Sequence, residues 1–172
     1  AKAINFGLIY GISAFGLSKQ LGINRNLAAE YMDTYFSRYP GVRKYMDRVK
    51  SEAKKIGYVE TLYGRRLYLP EISTGNAIRR QAAERVAINA PVQGTAADIM
   101  KKAMLSVSDS LKKQKIDAKL ILQVHDELVV ESHEKDTEKV TKILTDSMSK
   151  AAKLSVPLEV EIGIGKNWDQ AH

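Results

Sequence analysis

Apolar and polar positions recur at helical spacing through most of the first two-thirds of the chain, and stop signals separate the runs. Gly11 and Gly57 each follow such a run, where glycine commonly ends a helix. Asn24 or Asn26 can cap the start of a helix, and Pro40 suits a first helical position. The pattern predicts helices over residues 1–12, 17–21, 24–38, 40–56, 77–89, 93–113 and 135–152.

Shorter runs rich in β-branched and aromatic residues predict strands. Tyr58–Leu62 and Arg66–Leu69 flank a Tyr-Gly pair and predict a small hairpin. Leu120–Val124 and Leu128–Val130 are mostly apolar and predict a second hairpin of two buried strands. Leu158–Ile164 predicts a last strand. Because helices dominate first and strands gather at the end, the chain is predicted to have an α+β fold.

A polar trio, His125-Asp126-Glu127, connects the two apolar runs of the second hairpin. Turns normally use Gly, Asn or Ser, whereas this one holds an imidazole and two adjacent carboxylates. Two neighbouring anions repel each other, so their presence is easiest to explain if a cation lies nearby. The alternative is an acidic hairpin tip in water, since Asp is itself a common turn residue.

The composition favours a polyanionic partner and gives no support to several other classes of protein. Lys and Arg total 27 against 20 Asp and Glu, so the net charge is +7 and the pI is near 9.5. This basic surplus favours nucleic acid first and an anionic membrane second. The chain has no cysteine, and no apolar run reaches the roughly 20 residues of a membrane span. It also lacks a P-loop, a dinucleotide-binding fingerprint and zinc-type spacing, and nothing marks a serine as a hydrolase nucleophile.

Lys2, Phe6 and Tyr10 recur every four residues, so on a helix all three lie on one face. An ammonium group can bind phosphate oxygens, and an aromatic ring can stack on a base or a ribose. The alternative is an aromatic stripe in the core with a lysine that extends its charge to solvent. Spacing alone favours this second interpretation.

Arg85, Asn89 and Gln93 form another row at intervals of four, and Pro91 falls between its last two members. The residue before a proline is pushed out of the helical region, so we expect Pro91 to interrupt the helix and bend the row. Guanidinium and amide groups in such a row can hydrogen-bond to base edges, sugars and phosphates. Minor-groove acceptors are nearly degenerate, so these contacts would test base-pair shape rather than sequence. Helix capping and surface solvation explain the same residues equally well.

Five motifs occur in order along the chain, and their combination resembles family A DNA polymerases. The motifs are Lys2-x3-Phe6-x3-Tyr10-Gly11, Tyr63-Gly64-Arg65-Arg66, Arg85-x3-Asn89-Ala90-Pro91-x-Gln93-Gly94-Thr95-Ala96-Ala97-Asp98, Val124-His125-Asp126-Glu127 and Asn167-Trp168-Asp169. The resemblance covers essentially the whole chain, which already looks helical at its first residues. We therefore expect the C-terminal part of such an enzyme, without its upstream palm, thumb and exonuclease regions. The resemblance implies a fingers subdomain over residues 1–75 and, over residues 76–172, the helices leading to the distal palm with a catalytic hairpin at 118–132.

The resemblance implies that Lys2, Phe6 and Tyr10 lie on the fingers helix that closes over the incoming deoxynucleotide. Lys2 would bind its phosphates and count among the catalytic residues, Phe6 would pack against the sugar, and Tyr10 would lie by the template base. Phenylalanine rather than tyrosine at position 6 implies discrimination against chain-terminating dideoxynucleotides.

The resemblance also assigns roles in DNA binding and in catalysis. The residues implied to contact primer–template DNA are Arg85, Asn89, Gln93 and His125, the last at the primer end. Asp126 is implied to be a catalytic, metal-binding carboxylate of the palm, with Glu127 beside it. Because adjacent side chains on an extended backbone point to opposite faces, Asp126 is the predicted direct ligand and Glu127 is expected to act indirectly.

The implied reaction is two-metal phosphoryl transfer, in which a primer 3′ hydroxyl attacks the α-phosphorus of a deoxynucleoside triphosphate. Two Mg²⁺ ions about 4 Å apart would take part, one or both bound only together with a second aspartate expected upstream of residue 1. We therefore expect the isolated chain not to polymerise DNA. The expected partners are primer–template DNA and deoxynucleoside triphosphates, with a monomer acting in the bacterial cytoplasm at the nucleoid and on no membrane.

Two alternatives stay open. A non-catalytic, basic DNA-binding module could retain the same fold, and it would bind duplex DNA with a steep salt dependence and no metal requirement. A structural or accessory fragment would carry its basic surplus only as a solvated surface. Nucleotide-specific tightening of DNA binding is predicted by the polymerase interpretation alone.

Overall fold

The structure, a computed structural model, describes residues 2–172 and their side chains from residue 4 onward. The chain folds into two units, unit 1 ending at Thr95 and unit 2 over Ala96–His172. Unit 1 contains α1 (Lys2–Ile9), α2 (Ala14–Leu21), α3 (Arg25–Arg38), α4 (Pro40–Ile56), β1 (Tyr58–Glu60), β2 (Arg66–Tyr68), a 3-10 helix (Pro70–Ser73) and the start of α5 (Ala77–Lys113). Unit 2 contains the rest of α5, β3 (Ala118–Val124), β4 (Glu127–Ser132), a 3-10 helix (Glu134–Asp136), α6 (Thr137–Ser149) and α7 (Trp168–Ala171). The predicted α+β class is confirmed, and the functional subdivision at residues 75 and 76 stays a prediction.

The ends of the helices in unit 1 lie where local chemistry places them. Asn24, rather than Asn26, caps α3, and its side-chain oxygen accepts a hydrogen bond from Leu27 N–H at 2.8 Å. Pro40 is the first residue of α4, where its missing N–H costs no helical hydrogen bond. Gly57 ends the same helix with a φ of +79°, which glycine adopts without a steric penalty.

Two apolar clusters hold unit 1 together, each built from elements that are near one another in the chain. One lies among α1, α2 and α3, and its buried members are Leu8, Leu17 and Ala28. The other joins α4 and the small β1–β2 hairpin to α5, and its buried members are Val49, Ala53, Val59, Leu69, Ile72, Ala83 and Ala87. Burying one Leu or Val side chain stabilises a fold by roughly 1.5–3 kcal/mol, so these clusters fix the elements that carry the candidate residues.

Helix α5 is continuous, and the predicted interruption at Pro91 is wrong. A proline inside a helix removes one hydrogen bond and costs about 3 kcal/mol. That cost is offset here by packing of Ala83, Ala87 and Ile88 in the buried interior of unit 1 and by side-chain hydrogen bonds just beyond the proline. Among the described residues, neither α5 nor any other helix is long and apolar enough to cross a bilayer.

The core of unit 2 lies between α5 and α6, with part of the second hairpin packed on it. Its buried members are Val107, Leu111, Val140, Ile143 and Leu144. Strands β3 and β4 pair antiparallel, with a register shift between Leu120 and Leu122. The prediction of two buried strands is wrong for β3, because Ile121 is 54% exposed and Leu122 is 43% exposed. In this chain one face of the two-stranded sheet packs on helices, while Ile121 and Leu122 face solvent.

The predicted strand over Leu158–Ile164 is also wrong, since this segment has no ladder partner within residues 2–172. The alternation that suggested a strand is nevertheless present: Leu158, Val160 and Ile162 are half-buried, and the residues between them are exposed. Ile162 packs against the core of unit 2. A strand needs a backbone partner as well as a side-chain pattern, and the pattern alone cannot supply one.

Candidate functional site

The aromatic pair of α1 lies at the surface rather than in the core. The rings of Phe6 and Tyr10 stack with their centroids 6.1 Å apart and an interplanar angle of 11°. Phe6 is 46% exposed, and neither ring belongs to the apolar cluster around Leu8. The side chain of Lys2, the third predicted member of this row, lies outside the described residues. The structure thus places Phe6 and Tyr10 on one face, as the spacing predicts, and opposes the core-stripe alternative.

The end of α1 reaches α5 at the second predicted group. Gly11 follows α1 with a φ of +75°, in the left-handed region that glycine adopts readily. A Cβ built on Gly11 would lie 3.3 Å from Ile88 Cδ1 and 3.6 Å from Arg85 Cγ. The end of α1, between Phe6 on the helix and Tyr10 just after it, therefore lies against the Arg85 region of α5 within unit 1.

The row of Arg85, Asn89 and Gln93 shares one face of α5, because the helix is continuous and the spacing is four residues. Arg85 and Gln93 are exposed, whereas Asn89 is half-buried. Asn89 Oδ1 is buried and has no hydrogen-bond partner in the described part of the chain. A buried acceptor without a donor costs about 1–3 kcal/mol, so a ligand or a side-chain movement that brings a donor is favoured at this point.

The β1–β2 hairpin braces α5 just beyond Pro91, and this contact was not predicted from the sequence. Leu62 N–H donates to Thr95 Oγ1 at 2.9 Å, and the same hydroxyl donates to the Pro91 carbonyl at 2.5 Å. Arg65 Nη2 donates to the Gly94 carbonyl at 2.9 Å. A threonine four residues after a proline is a usable sequence signal, because its hydroxyl can bond the carbonyl one turn earlier. The brace holds the segment of α5 that carries Gln93.

The remaining residues of this basic hairpin make contacts within the hairpin or with α5. A Cβ on Gly94 would lie 2.7 Å from Thr61 Cγ2, so only glycine allows this close approach. Arg66 Nε donates to Glu60 at 2.7 Å, and its guanidinium lies 4.6 Å from the centroid of the Tyr58 ring. The hydrogen bond to Glu60 is the main cause that raises the pKa of Arg66 above its usual range.

The acidic trio is only partly a turn. His125 and Asp126 form the turn, while Glu127 is the first residue of β4 and pairs with Val124. His125 has a φ of +48°, a left-handed backbone that is unfavourable for a residue with a Cβ. Gln123 Nε2 donates to the His125 carbonyl at 2.7 Å and holds the turn in this shape. The side chains of His125 and Asp126 are both exposed.

Glu127 contacts two residues near the end of the sequence that sequence reasoning did not assign to the site. His172 Nδ1 lies 2.9 Å from Glu127 Oε1, and Trp168 Nε1 donates to Glu127 Oε2 at 3.4 Å. The rings of Trp168 and His172 also meet edge to face, 6.2 Å apart. Trp168 lies 41 positions from Glu127, and no periodic pattern links positions so far apart. Glu127 therefore has two side-chain partners within the protein itself.

The acidic turn fits one part of a magnesium site. Asp126 offers an exposed carboxylate, the hard oxygen ligand that Mg²⁺ prefers, and both oxygens of Glu127 already face donors. Within the described residues, no group of three or more His, Asp or Glu side chains could hold a metal ion. Mg²⁺ commonly takes one or two carboxylates and completes its shell with water and substrate phosphates, so the donor set supplies one of the ligands needed.

Comparison with known proteins gives one family. The family model described as DNA polymerase family A matches residues 1–170. DNA polymerase I of Pseudomonas aeruginosa is 60% identical over 172 residues, which cover 100% of this chain and 19% of that protein. DNA polymerase I of Geobacillus stearothermophilus is 47% identical over 171 residues, covering 99% of this chain and 20% of that protein. The chain thus spans about a fifth of the length of these curated relatives.

A solved structure agrees with these relatives. The polymerase domain of Pol1 from M. smegmatis, in complex with DNA primer-template and dNTP, superposes with a TM-score of 0.97 at 46% sequence identity. The alignment covers 99% of this chain and 30% of that chain. The likeness therefore extends over both units of the fold described above.

Proposed function

Since this chain belongs to DNA polymerase family A, we propose that it forms the fingers and the distal palm of a DNA-directed DNA polymerase. The observation that carries the proposal is the match of 99% of the chain to a polymerase domain solved with primer-template and dNTP. Residues 1–75 would form the fingers, and residues 76–172 would lead into the palm with its hairpin at 118–132. The protein would add deoxynucleotides to a primer 3′ end and would work as a monomer.

On the fingers side, α1 would bind the incoming nucleotide. The exposed ring of Phe6 stacks on the half-buried ring of Tyr10, and together they form a surface on which a sugar and a base can pack. Lys2 precedes them by one helical turn and would bind the triphosphate through its ammonium group. The phenyl ring at position 6 carries no hydroxyl, and discrimination against dideoxynucleotides would follow from this.

On the DNA side, α5 would contact the primer–template. Arg85 and Gln93 are exposed donors on one face, and Asn89 has a buried oxygen without a partner. Such side chains read base-pair shape through the nearly degenerate acceptors of the minor groove. His125, exposed at the turn, would contact the primer end.

Asp126 would hold Mg²⁺, because its carboxylate is exposed at the tip of a rigid hairpin. Family A polymerases use divalent metal ions, which stabilise the attacking and leaving oxygens of a phosphoryl transfer. Two such ions would take part, and the second would need a carboxylate from beyond this chain. These residues would orient the primer end and the nucleotide, while Asp126 contributes negative charge for a bound cation.

Equilibrium binding to primer–template DNA tests the proposal. A dideoxy-terminated primer prevents chemistry, and the chain is titrated with and without each nucleotide in Mg²⁺. We expect the complementary nucleotide alone to tighten binding, because α1 would close on a nucleotide paired with the template. Arg85→Gln should weaken DNA binding more than Arg25→Gln, a charge-matched change at the exposed first residue of α3.

Two other outcomes would identify the alternatives. Salt-sensitive duplex binding that no nucleotide alters would indicate a non-catalytic DNA-binding module, in keeping with the net charge of +7. If the chain binds neither DNA nor nucleotide, its basic surplus is only a solvated surface, and the proposed function is wrong.

A further inference from the structure

We propose that the C-terminal segment Asn167–His172 is a positioning element that holds Glu127 and thereby orients the neighbouring Asp126. Trp168 and His172 would be positioning residues, because they act on the reaction only through Glu127. The contact itself is independent of the enzyme's activity, whereas its effect on turnover rests on the proposed polymerase function.

The contact engages both oxygens of one carboxylate from one short segment. His172 Nδ1 lies 2.9 Å from Oε1, and the Trp168 indole N–H donates to Oε2 at 3.4 Å. The side chain of Glu127 is 38% exposed, so these contacts replace part of its hydration. Hydrogen bonds to an ionised group are roughly twice as strong as those between neutral groups. Glu127 is therefore held in one orientation at the start of β4.

The segment Asn167–His172 packs closely on Gly163 and Gly165, which together form its seat, and this close packing argues against a chance contact with Glu127. A Cβ on Gly163 would overlap the carbonyl oxygen of Ala171, and a Cβ on Gly165 would lie 2.6 Å from Gln170 Cβ. The backbone of the last residues thus lies directly on a Gly-Ile-Gly segment, where larger residues would not fit. Lys166 N–H donates to Gln170 Oε1 at 3.0 Å and fixes the same segment from its other end.

Trp168, at the start of the short helix α7, and His172, just after its end, present their rings to Glu127, and the first turn of the helix is capped. Asn167 Oδ1 accepts a hydrogen bond from Gln170 N–H at 3.0 Å. Trp168 and His172 are four residues apart, so they lie on one face of the turn. Their edge-to-face contact at 6.2 Å keeps both rings aimed at the carboxylate.

Glu127 would consequently not be a direct metal ligand in the resting protein. Its two oxygens face Trp168 and His172, whereas the carboxylate of Asp126, one residue earlier, is exposed. The restraint on Glu127 fixes the first residue of β4, and the backbone of Asp126 is attached directly to it. A loose Glu127 would leave Asp126 with a wider range of orientations, and a misplacement of about 1 Å can cost about 100-fold in rate.

Trp168 provides a direct spectroscopic readout, since it is the single tryptophan of the chain. We expect Glu127→Gln to shift the Trp168 indole N–H proton resonance upfield and to increase quenching of its fluorescence by acrylamide. Glu131→Gln is the matched control, because it removes the same charge from an exposed position of β4. Identical indole signals in the wild type and in Glu127→Gln would overturn the proposal.

Gly163→Ala tests the seat without changing either partner of the contact. The added methyl group must displace the backbone of Ala171, so we expect the same spectral change as in Glu127→Gln. Gly41→Ala is the control, because a Cβ there has open space within 4 Å. A Gly163→Ala protein that keeps the wild-type indole signal would show that the seat does not hold the segment.

In the polymerase whose fingers and palm this chain would form, turnover gives a separate readout. We expect Trp168→Phe and His172→Ala each to lower kcat about tenfold and to leave the KM for the nucleotide unchanged. Adding Glu127→Gln to either should cause little further loss, because all three act through one contact. Glu131→Gln, at an exposed position of β4 outside this segment, serves as the control.

The two proposals fail in different ways. An indole signal that does not respond to Glu127→Gln removes the positioning role and leaves the polymerase proposal intact. Conversely, binding to primer–template DNA that no nucleotide alters contradicts the polymerase proposal, while the spectroscopic result on the contact stands. Additive losses of kcat in the double variants would also overturn the positioning role, because they would place the three residues in separate steps.

Discussion

At the scale of single residues, the two adjacent carboxylates of the second hairpin differ in their surroundings. Asp126 is exposed at the turn, and Glu127 is half-buried and bound by Trp168 and His172. A pair of acidic residues therefore need not be a pair of metal ligands. The exposed carboxylate of Asp126 can exchange its hydrating water for a cation without first breaking contacts within the protein.

We expect Asp126→Asn to lower the turnover of a polymerase containing this chain by orders of magnitude. Loss of a metal ligand removes several kcal/mol of transition-state stabilisation, and each 1.4 kcal/mol is about tenfold in rate. Single-turnover primer extension in Mg²⁺ measures this loss. Asp109→Asn, an equal charge change at an exposed position of α5, should leave the rate unchanged. Undiminished extension by the Asp126→Asn enzyme would show that the metal assignment is wrong.

Tyr45 offers a test of stability away from the candidate site. Its hydroxyl donates to the Ile88 carbonyl at 3.0 Å and ties α4 to α5. Tyr45→Phe should lower the free energy of unfolding by about 1 kcal/mol, because a buried hydrogen bond is lost. Urea denaturation followed by circular dichroism measures the change, with Tyr31→Phe, an exposed ring on α3, as the control. Equal midpoints for the two variants would contradict the assigned role.

The same tyrosine predicts a pH dependence. Burial raises the pKa of Tyr45 above its ordinary value of 10.0, and the nearby Arg48 lowers it in part. The folded state therefore holds this proton more tightly than the unfolded state, so the contribution is complete below pH 10 and is lost as pH rises through the folded-state pKa. The stability difference between wild type and Tyr45→Phe should accordingly shrink above pH 10, and a difference that grows there would be inconsistent with this account.

At the scale of elements, local chemistry was enough to predict most boundaries. Asn24 as a cap, Pro40 at a first helical position and Gly57 as a stop act through residues within one turn, and all three are found as predicted. The small hairpin around Gly64 was likewise predictable, since Gly64 has a φ of +80° that the turn requires. Signals that act over a few residues can be read from a single sequence.

Elements that depend on distant partners were predicted less well. Pro91 lies inside α5 because residues of the β1–β2 hairpin, about 30 positions away, support the helix beyond it. The segment Leu158–Ile164 has the alternation of a strand without a partner strand in the described chain. For the same reason the contact of Glu127 with the C-terminal residues could not be predicted, whereas the rows on α1 and α5 could.

Thr95 is the element-scale test of the brace. Thr95→Val removes the hydroxyl that accepts from Leu62 N–H and donates to the Pro91 carbonyl. We expect this variant to lose about 1 kcal/mol of stability, since two modest hydrogen bonds are replaced by bonds to water. Thr95→Ser keeps the hydroxyl and is the matched control. Hydrogen exchange at Leu62 N–H should accelerate in the valine variant alone, and equal protection in both would show that the brace is not held by this hydroxyl.

At the scale of the whole molecule, charge and length set what the chain can do alone. The net charge of +7 gives a long-range attraction to DNA, which salt screens. The chain spans about a fifth of its curated relatives, and the described part contains no cluster of three acidic or histidine side chains suited to a metal. One exposed carboxylate is insufficient for the two-ion chemistry proposed.

We therefore expect the 172-residue chain by itself to bind DNA but not to extend a primer. The assay contains primer–template, Mg²⁺ and all four nucleotides, and product is resolved by length on a denaturing gel. A DNA polymerase I that contains the corresponding region serves as the positive control under the same conditions. Template-dependent extension by the isolated chain would falsify this expectation.

The left-handed backbone of His125 has a consequence for anyone who engineers this chain. A residue with a Cβ loses about 1–2 kcal/mol in that conformation, and glycine would recover most of it. A screen that rewards heat tolerance alone would thus select glycine at this position and discard the imidazole. Selection for stability would then act against the primer contact proposed for His125, so libraries built on this chain should keep position 125 constant.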